Sequence, residues 1–194
     1  NLIIMANFKD SPHFATHDDY YTKKTTWELI EPFLKEKGYN KIWECCLLGS
    51  NEQSVEYLQD MDFNVLGNKN VDFLNENTWS SEMTNKEYDC LVSNPPFDRI
   101  VSFQKRRESK KFRILEKALQ QDKPFVFLLN STNIQQKWFM DLFVNKDIKF
   151  LFPSYKLQYD KYKEGGSEKI PAGKGASFNS VFLTYKVLDQ NMWV

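Results

Sequence analysis

Apolar residues occur along this chain in short runs that are separated by polar turns. One nearly continuous run covers residues 41–48 and ends at Gly49-Ser50-Asn51, and similar runs cover residues 88–92 and 124–129. Runs of this length are typical of strands that are buried on both faces of a parallel sheet. Three further strands are predicted over residues 63–66, 148–152 and 180–186.

Between these runs, apolar residues recur at the three- to four-residue spacing of amphipathic helices. The spacing is clearest where Phe112, Leu115 and Leu119 form one apolar stripe. Strands that alternate with helices predict an α/β fold, in which helices cover both faces of a parallel sheet. The helices are predicted over residues 25–34, 54–60, 104–121 and 135–143.

Length and composition favour one compact unit. The chain has 194 residues, of which 41% are hydrophobic and 15% aromatic, and these can build a sizeable core. We therefore expect a single domain over residues 1–194, with an irregular N-terminal arm over residues 1–18. Residues 156–176 contain four glycines and many lysines, which predicts a long mobile loop. This loop is interpreted either as a flexible connector or as a substrate clamp that orders on binding.

Charge and cysteine content argue against several classes of protein. Acidic and basic residues number 26 each, so no global positive field attracts nucleic acid, and any such binding needs a local basic face. Cys45, Cys46 and Cys90 lie in apolar segments and lack the spacing of a zinc site or a disulfide framework, which favours a reducing compartment. No apolar stretch approaches membrane-spanning length and the first residues are too short for a signal sequence, so we expect a soluble cytoplasmic protein with no membrane partner.

The most specific motif is Asn94-Pro95-Pro96-Phe97, directly after the predicted strand over residues 88–92. Two prolines restrict the backbone and remove amide donors, so the tetrapeptide is either an ordinary loop stop or a rigid polar turn. Ligands of parallel α/β sheets bind beyond the carboxyl ends of the strands. Because Gly49-Ser50-Asn51 also follows a strand, we expect the two turns to share one crevice.

The order of motifs resembles the Rossmann-like, S-adenosylmethionine-dependent methyltransferases that modify the N6 amine of adenine, most closely the small enzymes of phages and large DNA viruses. The resemblance covers residues 20–186. It implies a mostly parallel, twisted, seven-stranded sheet with helices on both faces and an antiparallel last strand. The motifs that carry it are Asp19-Tyr20-Tyr21-Thr22, Trp43-Glu44, Val71-Asp72-Phe73-Leu74, Asn94-Pro95-Pro96-Phe97 and Phe178-Asn179-Ser180-Val181.

The resemblance implies a catalytic role for the tetrapeptide. The Asn94 side-chain oxygen and the Pro95 carbonyl are expected to accept hydrogen bonds from the adenine amine, in a turn that Pro95 and Pro96 hold rigid. Phe97 is expected to stack on the base, which must first leave a duplex. Methyl transfer of this kind depends on positioning and needs no metal. His13 and His17 have helical spacing, but no acidic ligand is arranged with them and they fall in the predicted irregular arm, so no metal site is predicted.

The resemblance also implies a binding site for S-adenosylmethionine. Its adenine part is expected at Asp72 and Phe73, which are otherwise interpreted as a surface turn carboxylate and a core aromatic residue. The chain departs from the family pattern in its single-glycine turn and in Lys69, where many relatives carry an acid. The methionine part is expected to be bound by Glu44, Gly49 and Ser50 and closed over by Tyr21 and Thr22.

Basic residues that follow the tetrapeptide are candidates for nucleic-acid contacts. They are interpreted either as a solvated helix face or as ligands of backbone phosphates. DNA is the favoured acceptor, with RNA, a protein amide, or a non-catalytic scaffold that binds nucleic acid or a partner subunit as alternatives. The sequence leaves open whether the chain acts alone, as a homodimer or with another subunit; for a viral chain, the expected location is the host cytoplasm or a viral factory. The candidate residues are Lys105, Arg106, Arg107 and Lys110.

Overall fold

The structure, a computed structural model, describes residues 20–47, 52–67, 72–75, 88–96, 109–162, 169–170 and 178–194. Several predicted features lie outside the described residues: the N-terminal arm, His13, His17, Gly49, Ser50, Lys69, Phe97, Lys105, Arg106 and Arg107.

Seven of the described strands form one large sheet. They are β2 (Lys41–Trp43), β3 (Asn64–Leu66), β4 (Cys90–Ser93), β5 (Phe125–Asn130), β6 (Ile148–Phe152), β9 (Ser180–Tyr185) and β10 (Met192–Trp193). Their order across the sheet is β3-β2-β4-β5-β9-β6-β10. β9 is antiparallel to both of its neighbours, β5 and β6, and the other pairs in the sheet are parallel. The predicted mostly parallel α/β sheet is therefore confirmed.

β10 corrects the prediction that the antiparallel strand comes last. It follows β9 in the chain and pairs in parallel with β6, so that Trp193 lies beside Phe152. A two-residue strand is too short to show the alternation on which a strand prediction depends.

The helices are close to their predicted positions, with one break. Residues 25–34 form two short helices, because Pro32 starts the second one. In the first turn of a helix the missing proline N–H costs no hydrogen bond, whereas inside a longer helix it would. The helices are α1 (Lys24–Trp27), α2 (Glu31–Glu36), α3 (Gln53–Gln59), α4 (Lys110–Gln121) and α5 (Lys137–Phe143), with a 3-10 helix at Ser131–Asn133.

Helices cover both faces of the large sheet, as predicted. Successive residues of β5 point to opposite faces, so Val126 joins one buried cluster and Phe127 the other. The first cluster also contains Trp27 of α1 and Leu58 of α3, and the second contains Leu115 of α4 and Phe139 of α5, among others. The sheet is therefore the middle layer of three.

A small antiparallel sheet contains strands that the sequence did not predict. Its order is β1 (Tyr20–Thr22), β7 (Tyr159–Tyr162) and β8 (Lys169–Ile170). β7 and β8 lie within residues 156–176, the predicted loop, and they pair with each other there. Tyr159 attaches this sheet to the large one: its hydroxyl lies 2.5 Å from Ser180 Oγ, and burial raises the pKa of Tyr159 to about 12.

Candidate functional site

The described residues enclose a cleft of about 610 Å³ at the carboxyl ends of β2 and β4. β2 has β3 on one side and β4 on the other, so the chain changes direction across the sheet between β2 and β4. Ligands of open α/β sheets bind at such a switch point, and the volume is within the range of small-molecule sites. The lining residues are Cys45, Cys46, Asp72, Phe73, Leu74, Asn75, Pro96, Lys110, Arg113 and Ile114.

Asn94 follows β4 directly and has an unusual hydrogen-bonding state. Its Nδ2 donates to Thr22 Oγ1 at 3.0 Å. Its Oδ1 is buried and accepts no hydrogen bond from the described residues. A buried acceptor without a partner costs about 1 to 3 kcal/mol, so such atoms in folded proteins call for an explanation. A ligand N–H at Asn94 Oδ1 would remove that cost.

The two prolines hold this turn at the edge of the cleft. Pro95 is buried and Pro96 is half-buried, and Pro96 contributes to the cleft wall. Each proline has a restricted φ, and Pro95 also restricts Asn94 before it. Asn94 therefore belongs to a stiff turn on a central strand, two residues before the cleft residue Pro96, and is itself absent from the described lining.

Thr22 lies on β1, an edge strand of the small sheet, and contacts Asn94. It was predicted to close over the methionine part of a cofactor, which stays a prediction, and its hydroxyl accepts from the Asn94 amide. The Thr22 residue is 3% exposed. Tyr21 on the same strand is half-buried and is absent from the described lining of the cleft. The described contact of Thr22 orients Asn94.

Glu44 lies just after β2 and is 3% exposed. Its Oε1 accepts from Ser93 Oγ and from the Cys46 backbone N–H, the latter at 3.1 Å. Burial raises the pKa of Glu44 to about 7, although both hydrogen bonds act in the opposite direction. Glu44 thus links the ends of β2 and β4 beneath the cleft, and it is absent from the described cleft lining. Ser93 was not predicted as a site residue, because nothing in the sequence marks it except its position before Asn94.

Asp72 and Phe73, the predicted contacts of the cofactor's adenine part, both line the cleft, and both also have structural contacts. Asp72 Oδ1 accepts from the Leu74 backbone N–H at 2.9 Å, which is the hydrogen bond of an Asx turn. The Phe73 ring meets Trp43 edge to face, with centroids 5.4 Å apart and planes at 75°. The Phe73 residue is only 2% exposed, so neighbouring residues cover most of its ring.

Positive charge enters the cleft from the first turns of α4. Lys110 was predicted to contact nucleic acid, and it lines the same cleft as Asp72. Arg113 lines it too and was missed, although a spacing of three residues places it on the same helix face as Lys110. Ser109 caps α4, since its Oγ accepts from the Phe112 backbone N–H at 3.1 Å. The cleft therefore has one acidic residue and two basic ones among its described lining residues.

Two adjacent cysteines form part of the cleft floor. Cys45 Sγ and Cys46 Sγ are 3.8 Å apart, and burial raises the pKa of the Cys45 thiol, which disfavours the thiolate. Within the described residues, no three or more His, Cys, Asp or Glu side chains come together as a metal site would require. None of the described helices is long and apolar enough to cross a membrane.

Comparison of the chain with protein-family models and with curated proteins gives no match. Function must therefore be argued from the chemistry of the cleft. That chemistry consists of an amide in a rigid turn, whose buried oxygen has no partner among the described residues, and a neighbouring pocket that carries charges of both signs.

Proposed function

We propose that this chain is a Rossmann-like, S-adenosylmethionine-dependent methyltransferase that acts on the N6 amine of adenine in DNA. The observation that carries the proposal is the state of Asn94: Nδ2 is bound to Thr22, and Oδ1 is buried without a described partner. This arrangement leaves one strong acceptor available to a ligand donor, at the switch point of the sheet.

An exocyclic adenine amine needs such an acceptor because its lone pair is delocalised into the ring. Hydrogen bonds from its two N–H groups favour the pyramidal form of the nitrogen, whose lone pair can then attack. In this proposal Asn94 Oδ1 accepts one hydrogen and the Pro95 carbonyl accepts the other. Thr22 holds the Asn94 amide so that its oxygen, rather than its nitrogen, meets the substrate.

The cleft residues fit S-adenosylmethionine by charge and by size. This molecule, when bound, supplies an electrophilic methyl group. Asp72 can accept from its adenine amine, while Lys110 and Arg113 can pair with its carboxylate or with a substrate phosphate. The volume of about 610 Å³ is in the range of cofactor pockets. Glu44 accepts a hydrogen bond from Ser93 and so supports the floor of the cleft from below.

A matched pair of asparagines tests the catalytic role. The experiment measures transfer of a labelled methyl group to DNA, RNA and protein, followed by nucleoside analysis of the DNA. Asn94→Ala should reduce turnover at least about 100-fold, the effect of removing a transition-state hydrogen bond at other active sites. Asn130 is the control, since it ends the neighbouring strand β5 and its Oδ1 accepts from the Thr132 backbone N–H at 3.0 Å.

Asn130→Ala should keep turnover close to that of the parent chain. Unchanged turnover by Asn94→Ala would refute the assignment of Asn94, and methylation of RNA or protein alone would change the acceptor. A chain that neither binds S-adenosylmethionine by calorimetry nor transfers methyl groups would support the non-catalytic alternative.

A further inference from the structure

A second cleft, of about 320 Å³, lies on the same edge of the large sheet. It is formed where β5 and β6 end, where β9 begins and where β10 reaches the edge. Nothing in the proposed methyl transfer uses it. Its described lining combines two exposed aromatic side chains, one lysine and several small polar residues.

The exposed aromatic side chains are Trp193 and Tyr155. Trp193 is 74% exposed, yet its indole stacks on the Phe152 ring, with centroids 4.7 Å apart and planes at 25°. Stacking on Phe152 covers one face of the indole, and the high exposure shows that the other face is open. Tyr155 is 54% exposed. An open aromatic face on a sheet edge is a platform on which a flat ligand can stack.

The charge of this cleft favours an anionic ligand. Lys156 is the only charged residue among its described lining residues, and no ion pair joins it to a carboxylate of another described residue. Ser131, Ser154 and Asn179 add polar groups that can bond to phosphate or to base edges. A ring to stack, a cation for a phosphate and adaptable polar groups together match a nucleotide of a single strand.

The position of the second cleft relates it to Asn94. β4 and β10 are separated by four strand-to-strand steps, β4-β5-β9-β6-β10. At about 4.8 Å per step, the ends of β4 and β10, which position Asn94 and Trp193, lie about 19 Å apart across the sheet. At 3.4 Å or more per nucleotide, about six nucleotides or fewer cover that distance.

We propose that this second cleft binds single-stranded nucleic acid, with a base stacked on Trp193 and a backbone phosphate at Lys156. Binding there is independent of methyl transfer. Only the further step, that the same strand continues to Asn94, rests on the proposed function. A protein partner that covers the aromatic pair is the competing occupant, and the favourable charge at Lys156 is the reason to prefer nucleic acid.

Fluorescence anisotropy with a labelled single-stranded oligonucleotide of about 12 nucleotides, without cofactor, tests the proposal. Trp193→Ala should weaken binding about 5- to 150-fold, the range that loss of one base–aromatic stack produces. Trp193→Phe should retain part of the affinity, because a phenyl ring still stacks. Lys156→Gln should lower the slope of log affinity against log salt concentration by about 1.

Met140→Ala is the control, since Met140 is 59% exposed on α5, away from this cleft, and should leave the affinity unchanged. Equal affinity of the parent chain and Trp193→Ala would overturn the proposal. Loss of self-association in Trp193→Ala, measured by sedimentation with oligonucleotide affinity unchanged, would replace it with a protein interface. If methyl transfer fails but Trp193→Ala still weakens binding, this proposal stands while the proposed function falls.

Discussion

The two halves of the large sheet differ in the lengths of their strands. In the half that forms the first cleft, β2, β3 and β4 have 3, 3 and 4 residues. In the other half, β10 at the edge has only 2 residues, whereas β5, β9 and β6 have 6, 6 and 5 residues. At about 3.3 Å per residue, the first set spans about 10 to 13 Å and the second about 17 to 20 Å. The short strands end early, and the space beyond them is the cleft.

The two halves also differ in what they bury. β5 has five consecutive buried apolar residues, and β9 buries Val181, Phe182 and Leu183 between two buried hydroxyl residues, Ser180 and Thr184. At the ends of the short strands the buried groups include a carboxyl group and an unpaired amide oxygen: Glu44 and, with no partner among the described residues, Asn94 Oδ1. Burial of polar groups stabilises a fold less than burial of apolar ones, so stability should come mostly from the long half.

This difference suggests a division of labour between the halves. β4 connects them, since Leu91, Val92 and Ser93 pair with β5. The Asn94 turn is thus attached through β4 to the long apolar strand β5, while its own hydrogen-bonded neighbour, Thr22, is polar. A binding constellation needs rigid support of this kind.

The largest expected effect on stability is in the long half. Phe182 is fully buried on β9, between Leu128 of β5 and Leu151 of β6. Phe182→Ala should lower the free energy of unfolding by about 3 to 5 kcal/mol, since it leaves a cavity that rigid neighbours cannot fill. Urea unfolding measures this. Val65→Ala on the short edge strand β3 and Val181→Ala on β9 are a matched pair: the half-buried Val65 should cost about 1 kcal/mol, and the fully buried Val181 should cost more. Equal losses would remove the distinction between the halves.

A smaller effect should appear as a pH dependence of the short half. The pKa of Glu44 is raised from 4.5 to about 7 by burial, so the folded chain keeps this carboxyl protonated where the unfolded chain has lost the proton. Its contribution to stability is therefore complete below pH 4.5 and is lost as the pH rises to about 7. The shift corresponds to about 3 kcal/mol.

Urea unfolding of the parent chain and of Glu44→Gln, at pH 4.5 and at pH 8, isolates that contribution. Glutamine cannot ionise, so the stability of the parent chain relative to the variant should fall by about 3 kcal/mol between the two pH values. A constant difference would mean that Glu44 is already ionised at low pH in the folded state.

The smallest effect concerns close packing beside the cleft. Gly67 follows β3, and a Cβ there would lie 2.6 Å from Leu47 Cδ1 and 2.8 Å from Val55 Cγ2. Gly67→Ala should cost about 1 to 3 kcal/mol through overpacking. Adding Val55→Ala makes room, so the double variant should lose less than the two single changes together. Strict additivity of the two losses would contradict the overpacking explanation.

Much of the fold follows from local sequence patterns. The apolar runs predicted the strands of the large sheet other than β10, and the helical spacing predicted α3 and α5 within a few residues. The break between α1 and α2 and the strands of the small sheet were not predicted. β7 pairs with β1 on one side and with β8 on the other, and this pairing stabilises the strands. A short segment rich in lysine and glycine carries no strong strand pattern of its own.

The candidate site depends on both levels. The sequence by itself determined that a stiff asparagine turn follows a buried strand, because proline restricts the backbone whatever surrounds it. Only the tertiary structure decided that Thr22, 72 positions away, binds the Asn94 amide, and that Ser93 bonds to Glu44, 49 positions away. Such contacts depend on which strands become neighbours. Strand order is decided by how the apolar faces pack together, and no local pattern along the chain records it.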